Sequence, residues 1–254
     1  MKAAPFAYHR PQSLAEALEL LAEHGDDAKP LAGGQSLVPL LALRLAQPAV
    51  LVDLGEVAEL RRRSGTTVGA MVTHAQLERD PTGLPPIVSA ALPHVGHFQI
   101  RNRGTIGGSL AHLDPAAEWP ALALLLGARL TIESRDRGER TLEAEEFMLG
   151  PLQTALATDE LLTSVSFPEW PAEGRWGFAE VARRPGDFAL AGAACTLLGG
   201  NRRVVVFATG SLPRLVEPGD RVAATGDLHA GAAYRSAVAG RLVDRVLAEA
   251  AARG

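Results

Sequence analysis

Two paired-glycine stretches constrain this chain more than any other feature. The first, Lys29-Pro30-Leu31-Ala32-Gly33-Gly34-Gln35-Ser36-Leu37, reads as a short strand, an abrupt glycine pair and the start of an apolar helix. The second, Arg103-Gly104-Thr105-Ile106-Gly107-Gly108-Ser109-Leu110-Ala111, repeats that logic. Lacking a Cβ, paired glycines let several backbone N–H groups converge on one anion. Either stretch alone is as readily a plain tight turn. Together, with a small hydroxyl residue and an apolar run behind each, they fit a diphosphate held from two sides. The amides of Gly33, Gly34, Gln35 and Ser36 would form one wall and those of Thr105, Gly107, Gly108 and Ser109 the other. The Ser36, Thr105 and Ser109 hydroxyls would add neutral hydrogen bonds, and helix starts behind both turns a favourable field. No GxGxxG follows a predicted strand and no GxxxxGK[ST] occurs, so neither a Rossmann nor a Walker-type site is supported.

The remaining pattern supplies elements that bring the two stretches together. Ser13 and Glu16 have capping-box spacing ahead of Leu14, Ala17, Leu18 and Leu21, with Gly25 as the stop. Strands are expected at 28–32 and 49–53, around a helical run from Leu37 to Leu45 that Pro48 ends. Further on come a helical turn at 57–60, a strand at 66–70, a helix His74–Arg79 capped by Thr73, and a buried helix at 87–95. Asp114-Pro115 has the chemistry of a helix start and carries Trp119, Leu122, Leu124 and Leu125 into the core. A hairpin follows around Asp136-Arg137-Gly138, then a strand from Glu160 to Phe167. Pro168 to Gly174 has linker composition, and beyond it three strands (176–182, 189–198, 203–209) precede one or two helices within 229–251. A small sheet covered by a late helix is an α+β arrangement.

Composition narrows the function classes. A net charge of -4 gives no electrostatic case for nucleic acid. The longest apolar run, Ala121 to Gly127, is far too short to cross a bilayer, and the first residues lack the apolar core of a signal peptide, so a cytoplasmic location is expected. One cysteine, Cys195, precludes an internal disulfide and a cysteine-ligated iron–sulfur cluster within these 254 residues. Aromatic residues make up only 5%, so stacking on a ring ligand must come from few side chains.

The segments KPLAGGQSLVPLLALRLAQPAVLVDL, TTVGAMVTHAQL and IRNRGTIGGSLAHLDPAAEWPALALLLGA resemble the FAD-binding subunit of the molybdenum hydroxylases. That family includes the medium subunit of carbon monoxide dehydrogenase and the flavin segment of xanthine dehydrogenase. FAEVARRPGDFALAGAA is similar to the family's flavin-ring loop and the start of its C-terminal domain. The resemblance runs almost end to end, in order. It implies a two-subdomain FAD-binding fold of the vanillyl-alcohol oxidase (PCMH) type over residues 1–170, with subdomains at 1–55 and 56–170, then a small antiparallel-sheet-plus-helices domain over 171–254.

The same resemblance carries residue roles. Lys29, Pro30, Leu31, Ala32, Gly33, Gly34, Gln35, Ser36 and Leu37 match the first pyrophosphate loop, and Thr105, Gly107, Gly108, Ser109 and His112 lie in the second. Glu118 matches an acidic position serving the adenosine end of FAD, while Asp114 either contributes there or caps the following helix. Leu161 or Leu162 matches a backbone contact near the adenine; Arg183, Arg184 and Asp187 fall in the loop beside the isoalloxazine ring. The implied function is electron relay. Iron–sulfur clusters of a small partner pass electrons from a large molybdenum-cofactor subunit to FAD, which hands them to an external acceptor, in a heterotrimer or a dimer of heterotrimers. No catalytic side chain and no metal ligand is expected in this chain. Two departures stand out. The xanthine dehydrogenase branch has lysine where this chain has Ala179, and the C-terminal region is short for the family.

Other candidates have plain readings. His94 and His97 are spaced for a metal on one helix face, or for solvent-facing or capping roles. Cys195, between Ala194 and Thr196, reads as a buried strand residue, and Arg61 to Arg63 as a solvated basic face. Arg101 and Arg103 could meet either FAD phosphates or a partner's carboxylate. Two other functions remain: a self-sufficient flavoprotein oxidoreductase, and a non-catalytic nucleotide-binding assembly module.

Overall fold

A computed structural model describes residues 2–253. The chain first builds a parallel sheet in which Val50–Asp53 lies between Ala7–His9 and Ala28–Leu31. The Leu14–His24 helix covers one face. Ser13 caps it through Glu16 N, and Ala17, Leu18 and Leu21 pack on Val50 and Val52. The apolar run after the first glycine pair is helical only over Leu37–Ala42, because Arg44 turns to a positive φ of 58°. The strand Ala7–His9 lacked a readable pattern; only its parallel pairing with Val50–Val52 makes it a strand.

The second sheet is antiparallel, in the order Arg63–Ser64, Thr67–Gly69, Glu160–Ser166, Arg129–Ser134, Gly138–Glu143. The hairpin at 136–138 is present, with Gly138 taking the positive φ of 68° the turn needs. The expected 87–95 helix is a Pro86–Ala91 α-helix followed by a 3-10 turn, Leu92–His94; Pro93 has no N–H to continue the ladder. Asp114-Pro115 does not start a helix. Asp114 Oδ1 accepts from Ala116 N at 2.9 Å in a tight turn, and the helix begins three residues later, over Glu118–Leu126. Every residue of that helix is buried. It is apolar on all sides because it lies between two sheets.

The third sheet is an antiparallel meander of Arg175–Ala182, Ala189–Leu198, Asn201–Phe207 and Arg214–Leu215. One face is covered by a single long helix, Ala232–Ala251, through Leu242, Val243 and Val246. From the other face Phe178, Ala194, Val205 and Phe207 join the core that contains Trp119 and Leu122. Hydrophobic burial therefore runs without a break from the second sheet into the third. No helix among the described residues is long and apolar enough to cross a membrane.

Candidate functional site

The two glycine stretches meet. A Cβ on Gly33 would lie 2.1 Å from Arg103 O and 2.8 Å from Gly104 Cα, so the first turn rests on the entry to the second. A Cβ on Gly108 would lie 3.3 Å from Ala32 Cβ. Only glycine permits this approach. Beside the contact is a cleft of about 350 Å³ lined by Leu31, Ala32, Gly33, Gly34, Gln35, Val38, Pro39, Asp53 and Arg103.

The two halves are built differently. The N–H groups of Gly33, Gly34, Gln35 and Ser36 have no acceptor among the described residues, and Gly34 has a φ of 73°. They form a row of open donors. In the second stretch the amides after Thr105 are already used. Ile106 N donates to Val72 O, Gly107 N to Ala70 O at 2.9 Å, Gly108 N to Thr105 Oγ1 at 3.0 Å and Ser109 N to Thr105 O. The pair Gly107-Gly108 is the first turn of the Ile106–His112 helix, with Thr105 as its cap. Three of the four amides expected in the second wall are thus committed within the chain, and the buried Thr105 hydroxyl serves as the helix cap. Gly107 serves packing, since its Cβ would meet Ala70 Cβ at 2.4 Å.

His112, at the end of that helix, is half-buried. Burial lowers its pKa, Asp114 opposes the shift and Lys29 adds to it. Lys29 and Pro30 belong to the strand entering the first turn, and Leu37 opens the helix leaving it. Leu161 and Leu162 are buried on Glu160–Ser166. On one side that strand pairs with Thr67–Gly69 only from Ser164 onward, which leaves the backbone edge at Leu161 and Leu162 open.

Glu118 is almost fully buried, and its pKa rises to about 8. Burial is the main cause, followed by the charges of Glu180 and Asp114. Glu180 lies on the third sheet, with Oε1 3.1 Å from His94 Nδ1 and a buried Oε2 that has no partner. Sequence reasoning missed Glu180. Its only signal was a charged residue in an otherwise apolar strand. Ala179 faces the core beneath the long terminal helix.

The loop after that strand docks near the second turn. Gly186, with a φ of 84°, is held against His97; a Cβ there would be 2.3 Å from His97 Nδ1. Arg183 Nη1 lies 3.0 Å from His229 Nδ1, while Arg184 O accepts from Asp187 N within the turn. His94 and His97 do not share a helix face: one ends a 3-10 turn and the other precedes the Phe98–Arg101 helix. Arg101 is committed to Glu78 at 3.0 Å and to the carbonyls of Pro93 and Gly96, whereas Arg103 lines the cleft. Arg61 and Arg63 are ties rather than a solvated face, holding Met71 O and Gly55 O, and Asp80 and Thr82 O. Cys195 is buried, donates to Val246 O at 3.2 Å, and has its pKa pushed up to about 11, chiefly by burial.

Residues 4–170 match the family described as "FAD binding domain in molybdopterin dehydrogenase". The chain belongs to this family. As a member it is an FAD-binding subunit of the multi-subunit molybdenum hydroxylases, an oxidoreductase class. It is 39% identical to the nicotine 6-hydroxylase medium subunit of Paenarthrobacter nicotinovorans, with 100% of both chains covered. It is 45% identical to the caffeine dehydrogenase subunit beta of Pseudomonas sp. strain CBB1 over 82% of this chain and 72% of that one. The solved carbon monoxide dehydrogenase of Hydrogenophaga pseudoflava superposes with a TM-score of 0.92 at 34% identity, covering 100% of this chain and 99% of that one. The open amides, the glycine contact and Arg103 fit the diphosphate of FAD. This family member carries an α+β fold with a C-terminal antiparallel sheet and helix, as expected.

Proposed function

We propose that the chain positions FAD across the two glycine turns and so connects a partner's iron–sulfur clusters to an external electron acceptor. The observation that carries this is the row of open donors at Gly33–Ser36, held against Arg103-Gly104 by a contact only glycine allows. In this reading Lys29–Leu37 bind the diphosphate through backbone, while Thr105, Gly107, Gly108 and Ser109 form the helix start that packs closely on its other side. His112, Asp114 and Glu118 lie on the adenosine side with the open edge at Leu161 and Leu162, and Arg184 and Asp187 border the ring. When bound, FAD supplies the capacity to accept electrons and release them in pairs. The chain's residues bind it, orient it and limit water around it; no side chain has to move a proton for the relay. The cofactor unit would span 1–170, with subdomains at 1–55 and 56–170, and the C-terminal unit 171–254.

The partners in this reading are a large molybdenum-cofactor subunit and a small [2Fe-2S] subunit, as a heterotrimer or a dimer of heterotrimers in the cytoplasm. Family membership supports the assembly, and so do exposed apolar side chains on and just after the helix that follows the first turn, Val38, Leu43 and Leu45. The full-length chain should take up FAD with a flavin spectrum, and substrate should reduce that flavin only when both partners are present. Substrate turnover by the chain alone would replace the relay with the self-sufficient oxidoreductase. A chain that takes up no FAD, alone or with its partners, would leave only the assembly module.

A further inference from the structure

His74 lies in the TTVGAMVTHAQL segment without a role assigned to it there, yet it touches the neighbours of two candidate cofactor residues, Thr105 and Glu118. It opens the His74–Arg79 helix behind a full capping box, in which Thr73 Oγ1 accepts from Gln76 N at 3.2 Å and Gln76 Oε1 accepts from Thr73 N at 2.8 Å. The capped segment is stitched to the second glycine turn. His74 N donates to Gly104 O at 3.0 Å and Ile106 N to Val72 O at 3.1 Å, so that Thr73 sits opposite Thr105. The ring then reaches the other way. Trp119 Nε1 donates to His74 Nδ1 at 3.0 Å, and the two rings meet edge to edge with planes 24° apart. Both side chains are buried.

The ring also fills the space that Gly104 leaves. A Cβ on Gly104 would lie 2.9 Å from His74 Cδ2 and 3.0 Å from Nε2. One imidazole therefore spans from Gly104, one residue ahead of the Thr105 cap, to Trp119, one residue after Glu118. Accepting from an indole N–H requires an unprotonated Nδ1, hence the neutral tautomer with hydrogen on Nε2. Burial and the nearby Arg101 keep the ring neutral, lowering its pKa to about 3.

We propose that His74 is a positioning residue for the cofactor: its Nδ1 bond to Trp119 and its ring contact with Gly104 set the Thr105–Ser109 helix start relative to Glu118. This rests on the reading that FAD occupies the glycine turns. His74 itself is buried. It acts through Gly104 and Trp119.

The test uses the full-length chain stripped of FAD and titrated with it. His74→Asn keeps an acceptor near the Nδ1 position, whereas His74→Leu keeps the bulk and removes the acceptor. The leucine variant should bind FAD about tenfold more weakly, the size of one lost buried hydrogen bond. The asparagine variant should recover most of that loss. Leu242→Ala, on the C-terminal helix where it packs against the third sheet, serves as a control for destabilisation alone and should bind FAD normally. In tryptophan-labelled protein, one of the three indole N–H signals should shift and exchange faster in His74→Leu and stay near its place in His74→Asn. The proposal is overturned if His74→Leu binds FAD like the wild type, if the asparagine variant loses as much as leucine, or if Leu242→Ala loses as much at the same Tm. If the wild-type chain takes up no FAD, the reading of the site fails, and the proposal with it.

Discussion

Replacing Glu118 with glutamine should remove a pH-dependent penalty from the stability of the chain. The carboxyl is buried at the seam between the second and third sheets, with the charges of Glu180 and Asp114 acting on it, and its pKa rises from 4.5 to about 8. The native state therefore holds a proton that the unfolded chain releases at any pH between those values. By linkage, this contribution to stability is complete below the unfolded pKa and is lost as pH rises toward the folded one. Each pH unit in that window costs about 1.4 kcal/mol, so raising the pH from 5.5 to 7.5 costs up to about 2–3 kcal/mol. Glutamine is neutral throughout, has nearly the same shape, and keeps a donor that can face the unpartnered Glu180 Oε2. Urea denaturation of both proteins at the two pH values isolates the effect, because their other titrating groups are shared. Between pH 5.5 and pH 7.5 the stability difference between the two should move in favour of the glutamine variant by the amount above, a relative Tm change of several degrees at about 2–4 °C per kcal/mol. A stability difference that stays constant between the two pH values would refute the placement of a protonated carboxyl at the seam.

Three further outcomes follow from particular contacts. Gly33→Ala should weaken FAD binding at least about tenfold and cost about 1–3 kcal/mol of stability, since its Cβ would sit 2.1 Å from Arg103 O; cofactor titration and thermal melts check both. Gly108→Val should block FAD uptake, because its Cβ would start 2.8 Å from the capping Thr105 Oγ1 and branch toward Ala32; normal FAD affinity in that variant would count against the second stretch as a cofactor element. Arg235→Ala should destabilise the C-terminal sheet by about 2–4 kcal/mol, because the buried guanidinium holds Leu190 O at 2.8 Å and Ala208 O at 2.7 Å, which would be left without a donor; a melt within a degree of wild type would contradict that accounting.

Local physics is what made the glycine turns, the Ser13 and Thr73 caps, the 136–138 hairpin and the buried Cys195 legible from residue order. Each depends on φ preferences or hydrogen bonds within a few positions, which a sequence states directly. The motifs likewise carried the family, because paired glycines with hydroxyls at fixed offsets leave little freedom of interpretation. Pairing across distance decided the rest. The Ala7–His9 strand exists only beside Val50–Val52, and the helix after Asp114 starts late because the segment first turns at Ala116. That the first stretch keeps open amides while the second uses its own depended on Ala70 and Val72 arriving as acceptors from another strand region. The separate roles of Arg101 and Arg103 needed Glu78 in place. The burial of Glu118 beside Glu180, and the span of His74 from Gly104 to Trp119, join residues far apart in the chain. Residue order determined which backbone could approach an anion. Only the folded packing of two sheets around one helix decided which donors stay free, which acids lose water and which imidazole joins the halves of the site.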